Sequence, residues 1–221
     1  MKRFTALLLC VCTLLLVGCG KRGKLTDEGY LNPKTGIEYV EVTAMKLYPV
    51  NQGEEFITVT KNDEKIVFHE VLFESTDKFL CYGIEGNYFL VRATTVTEPT
   101  LSEFSPIAAA ICKSDNKIAF DHLYADPEYL PEDRRDELTI GETALCKQIA
   151  NAIDNGEAVE LNAQFEDFKT FYYLHLYSAD YPGLFYLISF FEYNGRHYLR
   201  DSSMGKTVYC PNDVILRLTT G

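Results

Sequence analysis

The stretch that decides the fold runs from Leu184 to Asp201 and reads LFYLISFFEY-NG-RHYLRD. Asn and Gly tolerate the positive φ angles of a tight turn, so Asn194-Gly195 between two apolar runs is a strong signal for a β-hairpin. The first arm is apolar on both of its alternating faces until Glu192. A strand of this kind is normally covered on both sides. The sequence therefore predicts a hairpin whose first arm is a central strand.

Strand patterns continue outward from this hairpin. The segment FYYLHLY, from Phe171 to Tyr177, is rich in strand formers and is predicted to pair beside the central strand. Earlier in the chain, a strand run begins at Ile37 and continues to Tyr48, where Pro49 stops it. Strand-turn-strand units with Asn, Asp or Gly in their turns are predicted at 56–73, 79–96 and 107–120.

One segment predicts a helix, at about residues 140–154. Thr139 followed by Glu142 has the spacing of a capping box, in which each side chain satisfies a backbone N–H at the start of a helix. Asn155-Gly156 supplies a stop signal. Between them, apolar residues recur every four positions at Leu145, Ile149 and Ile153. We therefore expect an α+β fold, mainly antiparallel sheet built from hairpins, with this one helix covering a face of the central strand.

Composition divides the chain into five segments. Residues 1–18 are a leader, and residues 19–36 are glycine-rich and charged, which predicts a flexible tether. Residues 37–125 form a β-rich part, and residues 138–221 form an α+β part. The acidic segment between them, 126–137 (DPEYLPEDRRDE), is predicted to be a linker or exposed loop. Whether the two parts are two lobes or one domain is open at this level.

The leader has a distinctive order of properties. Lys2 and Arg3 are followed by an apolar run from Phe4 to Val17, and the run ends in Leu16-Val17-Gly18-Cys19. The run is shorter than the ~20 apolar residues that a membrane-spanning helix needs. This arrangement resembles a bacterial lipoprotein signal peptide with its lipobox. Other readings are an ordinary signal peptide that happens to contain a cysteine, or a short anchor helix.

The resemblance implies a location. Cleavage would fall between Gly18 and Cys19, and the Cys19 thiol would carry diacylglycerol, with acyl chains such as palmitate. Each buried methylene contributes ~0.8 kcal/mol to membrane binding, so several chains hold a protein firmly. The expected place is the extracytoplasmic face of a bacterial membrane, in the cell envelope, with the membrane as partner through the N-terminal lipid.

Charge excludes one class of partner. The chain has 21 basic and 32 acidic residues, a net charge of −11, and loss of Lys2 and Arg3 with the leader leaves −13. Such a surface repels phosphate backbones, so we expect no nucleic-acid binding. It also gives no general attraction to anionic lipid, which leaves the acyl chains as the expected anchor.

Cysteines and histidines give no catalytic or metal-binding pattern. After the leader and Cys19, four cysteines remain without a C-x-x-C pair, and they are either buried thiols or partners in disulfides. The four histidines are far apart in sequence, and His175 is expected to be hydrogen-bonded beside the aromatic residues of its strand face. The acidic segment around 121–137 lacks the glycine of a calcium loop. We expect no metal, no cofactor and no catalytic residues. The remaining cysteines and the other histidines are Cys81, Cys112, Cys146, Cys210, His69, His122 and His197.

The aromatic residues form one dense cluster. From Phe165 to Tyr198, thirteen of thirty-four residues are Phe or Tyr. Core packing explains most of them, but tyrosine keeps a polar hydroxyl and is frequent at interfaces. We predict an aromatic binding face, with Tyr181 and at least one of the others substantially exposed. Its members are Tyr172, Tyr181, Tyr193 and Tyr198.

Three functions fit these observations. The first is a membrane-anchored binding or interaction module for an unknown protein or carbohydrate partner, which is not an enzyme. The second is a surface-anchored hydrolase or redox enzyme whose site is assembled from distant residues. The third is a structural component of the envelope. The lipid anchor and the dense aromatic residues favour the first.

Overall fold

The protein is represented by a computed structural model that describes residues 24–25, 29–48, 51–61, 64–84, 87–113, 135–164 and 167–219. The predicted leader, Cys19 and the acidic segment up to residue 134 lie outside these residues. In chain order the elements are β1 (Lys24–Leu25), β2 (Gly29–Leu31), β3 (Glu38–Glu41), β4 (Met45–Lys46), β5 (Gln52–Lys61), β6 (Glu64–Val71), β7 (Phe79–Ile84), β8 (Asn87–Ala93), α1 (Leu101–Phe104), β9 (Ala108–Lys113), α2 (Arg135–Asn155), β10 (Lys169–Tyr177), β11 (Phe185–Tyr193), β12 (Arg196–Asp201), β13 (Lys206–Tyr209) and α3 (Asn212–Thr219).

Two antiparallel sheets contain these strands. The first sheet has the order β1-β2-β3-β8-β7-β6-β5, and it curls until its outermost strands, β1 and β5, contact each other. The second has the order β13-β12-β11-β10-β9, and β4 also pairs with β11. The predicted α+β fold, mainly antiparallel sheet built from hairpins, is confirmed.

The deciding hairpin is present. β11 and β12 pair through Tyr193 and Arg196, with Asn194 and Gly195 in the left-handed turn at φ 51° and 73°. β11 lies between β10 and β12, so its central position and its pairing with the 171–177 segment are confirmed. The units at 56–73 and 79–96 are also hairpins. The first arm of the 107–120 unit is β9, which pairs with β10, and its second arm lies outside the described residues.

The prediction of a tether over residues 19–36 is wrong for its second half. β1 and β2 are strands of the first sheet, and Tyr30 is fully buried between the rings of Tyr39 and Phe68. Position 29 requires glycine because its backbone lies against β3. A Cβ atom there would stand 1.8 Å from the Tyr39 carbonyl oxygen. The glycine that suggested flexibility serves close strand packing.

The predicted strand run from Ile37 to Tyr48 is divided between the two sheets. The backbone N–H groups of Thr43 and Ala44 donate to Oε1 of Glu98, at 3.1 and 2.6 Å. This contact fixes the bend between β3, in the first sheet, and β4, in the second. The residues from Ile37 to Tyr48 are all compatible with one continuous strand. The strand bends at Thr43 and Ala44 because the Glu98 side chain, 54 positions after Ala44, binds their N–H groups there.

The covering helix is longer than predicted. α2 is already helical at Arg135, so Thr139 lies inside it and the predicted capping box does not mark its start. The predicted linker therefore contributes residues 135–137 to the helix, because these charged residues do not interrupt a helix. The sequence also missed α3, which buries Val214 and Leu218.

One large core joins the sheets and helices. It contains Phe79 and Leu90 from the first sheet, Ile188 and Phe190 from the second, and the predicted helix stripe at Leu145, Ile149 and Ile153. A second, smaller core lies on the other face of the first sheet. Among the described residues, none of the helices is both long enough and apolar enough to cross a bilayer.

Candidate binding site

The two faces of the second sheet have different surroundings. On the inner face, Leu174, Ile188 and Leu199 pack into the large core with the helices. Their neighbours along each strand point to the opposite face, because side chains alternate. This outer face is strongly aromatic. Its described members include Tyr173, His175, Tyr177, Phe185, Phe191, Tyr193, Tyr198 and Tyr209.

Two of the predicted face residues belong to the core. Tyr172 lies on the inner face and is only partly accessible, with its ring stacked on Phe190 at 5.9 Å. Tyr181, in the turn before β11, stacks on Phe104 at 5.1 Å and meets Phe79 edge-on. Tyr181 is also only partly accessible, so the prediction of substantial exposure is wrong for it. The wide aromatic core between the sheets accommodates both rings.

The other two predicted residues lie together on the outer face. Tyr193 is partly accessible, and its hydroxyl donates to the carbonyl oxygen of Asn162 at 3.2 Å. Tyr198 is only 4% exposed, so its predicted place at the surface is wrong. Phe191 and Tyr209 cover its two sides. None of the four tyrosines is substantially exposed, so the prediction that at least one of the others is exposed with Tyr181 is wrong. They also do not form one face, although the outer sheet surface keeps two of them.

A row of three rings reaches solvent on this face. Phe191, Tyr198 and Tyr209 stand opposite one another on β11, β12 and β13, with ring centroids 5.7 and 5.3 Å apart. We call these three residues the aromatic row. The first two rings are buried, whereas Tyr209, on the outermost strand, is 48% exposed. The row is a rigid support for one accessible ring.

Arginine side chains flank the aromatic row. The Arg196 guanidinium lies 5.6 Å from the centre of the Tyr209 ring, and its Nη1 atom donates to the Tyr209 hydroxyl at 3.1 Å. Arg200, on the same face of β12, is exposed as well. Arginine over an aromatic face is an attractive pair that keeps unused donors free for a ligand. Two cations here contrast with the acidic chain as a whole.

The geometry suits binding more than reaction. An exposed ring offers a flat apolar surface for stacking, and guanidinium groups offer planar donors to carboxylate or phosphate. Burial raises the pKa of Tyr198, with a further contribution from Tyr209, so this phenol stays neutral near pH 7. The aromatic row and its arginines therefore fit a partner that presents a flat apolar face beside a negative or carbonyl group.

The other end of the outer face holds a hydrogen-bonded histidine, as predicted. The Tyr48 hydroxyl lies 2.6 Å from Nδ1 of His175 and 2.6 Å from the Tyr177 hydroxyl, and the imidazole stacks on Phe185 at 4.1 Å. Burial lowers the pKa of His175 to about 4, so its ring is neutral at pH 7. These contacts fix the segment after β4 against β10.

The remaining cysteines and histidines that the structure describes are placed in structural surroundings, and His122 lies outside the described residues. Cys81 and Cys210 are buried thiols, and burial raises their pKa to about 11 and about 12, so neither is a thiolate at neutral pH. Cys146 is buried too, and the Cys112 side chain lies outside the described set. Nδ1 of His69 lies 3.3 Å from the Gly53 carbonyl oxygen. Within the described part of the chain, no three His, Cys, Asp or Glu side chains are grouped to hold a metal ion.

Part of this site was within reach of the sequence. The Asn194-Gly195 turn fixes the register of its hairpin, and that register places Phe191, Tyr193, Arg196 and Tyr198 on one face. The sequence did not indicate Tyr209, because its position depends on the pairing of β13 with β12 across the turn at 202–205. Compared with protein-family models, curated proteins and solved structures, the chain gives no match, so its function has to be inferred from its own residues.

Proposed function

We propose that this protein is a lipid-anchored, extracytoplasmic binding module of a bacterial envelope. The observation that carries the location is the leader, Met1 to Cys19, with its basic start, short apolar run and Leu16-Val17-Gly18-Cys19 ending. An acylated Cys19 anchors the chain to the membrane without any spanning helix.

The aromatic row supports the binding role. Tyr209 is held in place by Tyr198 beneath it and by Arg196 against its ring, so it loses little conformational freedom when a partner stacks on it. The protonated thiols and the neutral His175 support a role without catalysis. The partner is a protein or a carbohydrate that contacts the exposed ring.

Acylation is tested with Cys19→Ser in the producing bacterium. The variant is expected to accumulate as unprocessed precursor and to lose labelling by a fatty-acid probe. Cys12→Ser is the matched control, because this leader cysteine precedes the cleavage site and its loss leaves labelling unchanged. Undiminished labelling of the Cys19→Ser chain contradicts the proposed anchor.

Binding is tested by placing the photo-cross-linker p-benzoylphenylalanine at position 209 in living cells. We expect a cross-linked product that is lost when Arg196→Ala is added, because the guanidinium then no longer contributes to the contact. The same cross-linker at Phe89, which is partly exposed on the other sheet, is the control. Protease digestion identifies a protein partner and periodate a carbohydrate. Identical products from positions 209 and 89 contradict the binding role of the row.

A further inference from the structure

The turn between β6 and β7 exposes two large apolar side chains. Leu72 is 40% and Phe73 58% exposed, and Phe73 has a φ of 69°, a left-handed conformation that bulky residues rarely adopt. Strain of this kind persists only where neighbouring structure enforces it. Here the Leu72 N–H donates to the carbonyl oxygen of Asn51 at 2.8 Å, and the Glu74 carboxylate accepts from Gly183. We call Leu72 and Phe73 the apolar tip.

The first strand begins at the same end of the sheet as the apolar tip. Lys24, the first residue of β1, pairs with Leu31, and Leu31 pairs with Glu38. The carbonyl oxygen of Lys78 accepts from the N–H group of Ala93, the last residue of β8, and that of Glu38 accepts from the next residue, Thr94. The Tyr39 hydroxyl also donates to the carbonyl oxygen of Thr76, 2.7 Å away, within the turn itself. The chain therefore enters the fold beside the apolar tip.

Chain length keeps that end close to any lipid on Cys19. Five peptide units join Cys19 to Lys24, and a fully extended chain covers at most about 18 Å over that number. A domain of about 200 residues has a radius of gyration of about 16 Å. A sphere with this radius of gyration has a radius of about 21 Å, so even the fully extended link is shorter than the radius of the body it holds. A body on so short a link presents the end where the link attaches to the membrane.

Charges of both signs lie at this end of the first sheet. Lys21 and Arg22 lie in the link, and Lys34 and Lys78 are exposed on the two turns nearest to Lys24. Each lysine or arginine near an anionic bilayer adds to the attraction. Asp77 is exposed in the same turn as Lys78 and opposes them. Glu54, next to Gly53, and Asp180, in the loop that leads to Gly183, are exposed acids beside Leu72, so the charges at this end are mixed. Insertion is therefore expected to depend on the two apolar side chains and on the lipid of Cys19.

We infer that the apolar tip inserts into the lipid headgroup layer beside acylated Cys19 and so fixes the orientation of the protein on the membrane. The inference rests on the proposed lipid anchor and commits to the bilayer as the occupant of this surface. Exposed apolar side chains next to a lipid anchor add buried apolar area when a peripheral protein enters the interface.

The test uses the absence of tryptophan from the chain. In Phe73→Trp the new indole is a unique fluorescent reporter on the apolar tip. Phe89→Trp is the matched control, on β8 near the Ile84–Asn87 pair at the opposite end of the first sheet. Each acylated full-length variant is reconstituted into vesicles of phosphatidylethanolamine and phosphatidylglycerol containing brominated phosphatidylcholine. Equal thermal stability of both variants shows that each is folded.

We expect brominated lipid to quench the Phe73→Trp emission several-fold more than the Phe89→Trp emission, and aqueous acrylamide to show the reverse order. If the chain is acylated but both emissions respond equally, the inference is overturned and the anchor stands. An indole at 73 that is shielded from acrylamide but not quenched by lipid indicates a second copy or another protein, and also overturns it. A chain without acyl groups overturns the inference and the proposed anchor together.

Discussion

Two partly buried ionisable groups, His175 and Glu74, are expected to give opposite pH dependences of stability over the same pH range. Burial lowers the pKa of His175 from 6.5 to about 4. Burial raises the pKa of Glu74 from 4.5 to about 7, although Gly183 and Lys78 oppose this shift. Among the described atoms, Oε1 of Glu74 has no hydrogen-bond partner, which is consistent with a carboxyl group that is costly to ionise.

The signs follow from proton binding. Between pH 4 and 6.5 the unfolded chain protonates His175 more readily than the folded chain does, so acid destabilises the fold by about 3 kcal/mol across this range. Between pH 4.5 and 7 the folded chain keeps the proton on Glu74, so rising pH destabilises the fold. Because Glu74 is partly accessible, solvent screening reduces its share to about 2 kcal/mol. In the wild-type chain the two effects largely cancel.

Single substitutions should separate the pH effect of His175 from that of Glu74. In Glu74→Gln only the histidine effect remains, so the free energy of unfolding should fall by about 2 to 3 kcal/mol from pH 7 to pH 4.5. In His175→Gln it should rise by about 2 kcal/mol over the same interval. Urea unfolding at each pH measures both, with Glu54→Gln, at an exposed position, as control. If Glu74→Gln follows the same pH profile as the wild-type chain, the reasoning is refuted.

Two further predictions concern stability. The Asp201 carboxylate is fully buried and accepts from the Tyr186 hydroxyl at 2.7 Å and from the turn that follows it. Asp201→Ala leaves these donors without a partner, so the free energy of unfolding measured in urea should fall by about 3 to 5 kcal/mol. A fall of less than about 1 kcal/mol would contradict this role of Asp201. Gly183→Ala places a Cβ atom 2.2 Å from the Leu72 carbonyl oxygen and should lower stability by about 2 kcal/mol or more in thermal melts. Gly36→Ala is the control, because its Cβ atom meets only open space at φ 75°, and it should lower stability by about 1 kcal/mol. Equal losses of stability in the two variants would argue against the contact between position 183 and the Leu72 carbonyl oxygen.

Local signals predicted the hairpins and the helix stripe. Asn194-Gly195 specifies a turn through backbone conformation alone, and Leu145, Ile149 and Ile153 specify a helix face through their spacing. These features depend on residues close together in the chain. The α+β fold was therefore predictable.

Features set by distant contacts were not predictable. The contact with Glu98 sets the point at which the strand run from Ile37 to Tyr48 bends. The nearby Tyr39 carbonyl oxygen leaves room only for glycine at position 29. In the same way, the exposure of Tyr181 depends on Phe104, which lies far away in sequence and stacks on it. The number of tyrosines indicated an aromatic surface, but the sheet order determines which of them reach it.

The chemistry of Cys19 decides whether this protein is held by lipid, and intact mass and peptide mass spectrometry of the membrane-derived protein measure that chemistry directly. We predict a mature chain of 203 residues that begins at Cys19, with diacylglycerol on its sulfur. A chain that begins at Met1, or one with an unmodified thiol at Cys19, would contradict it.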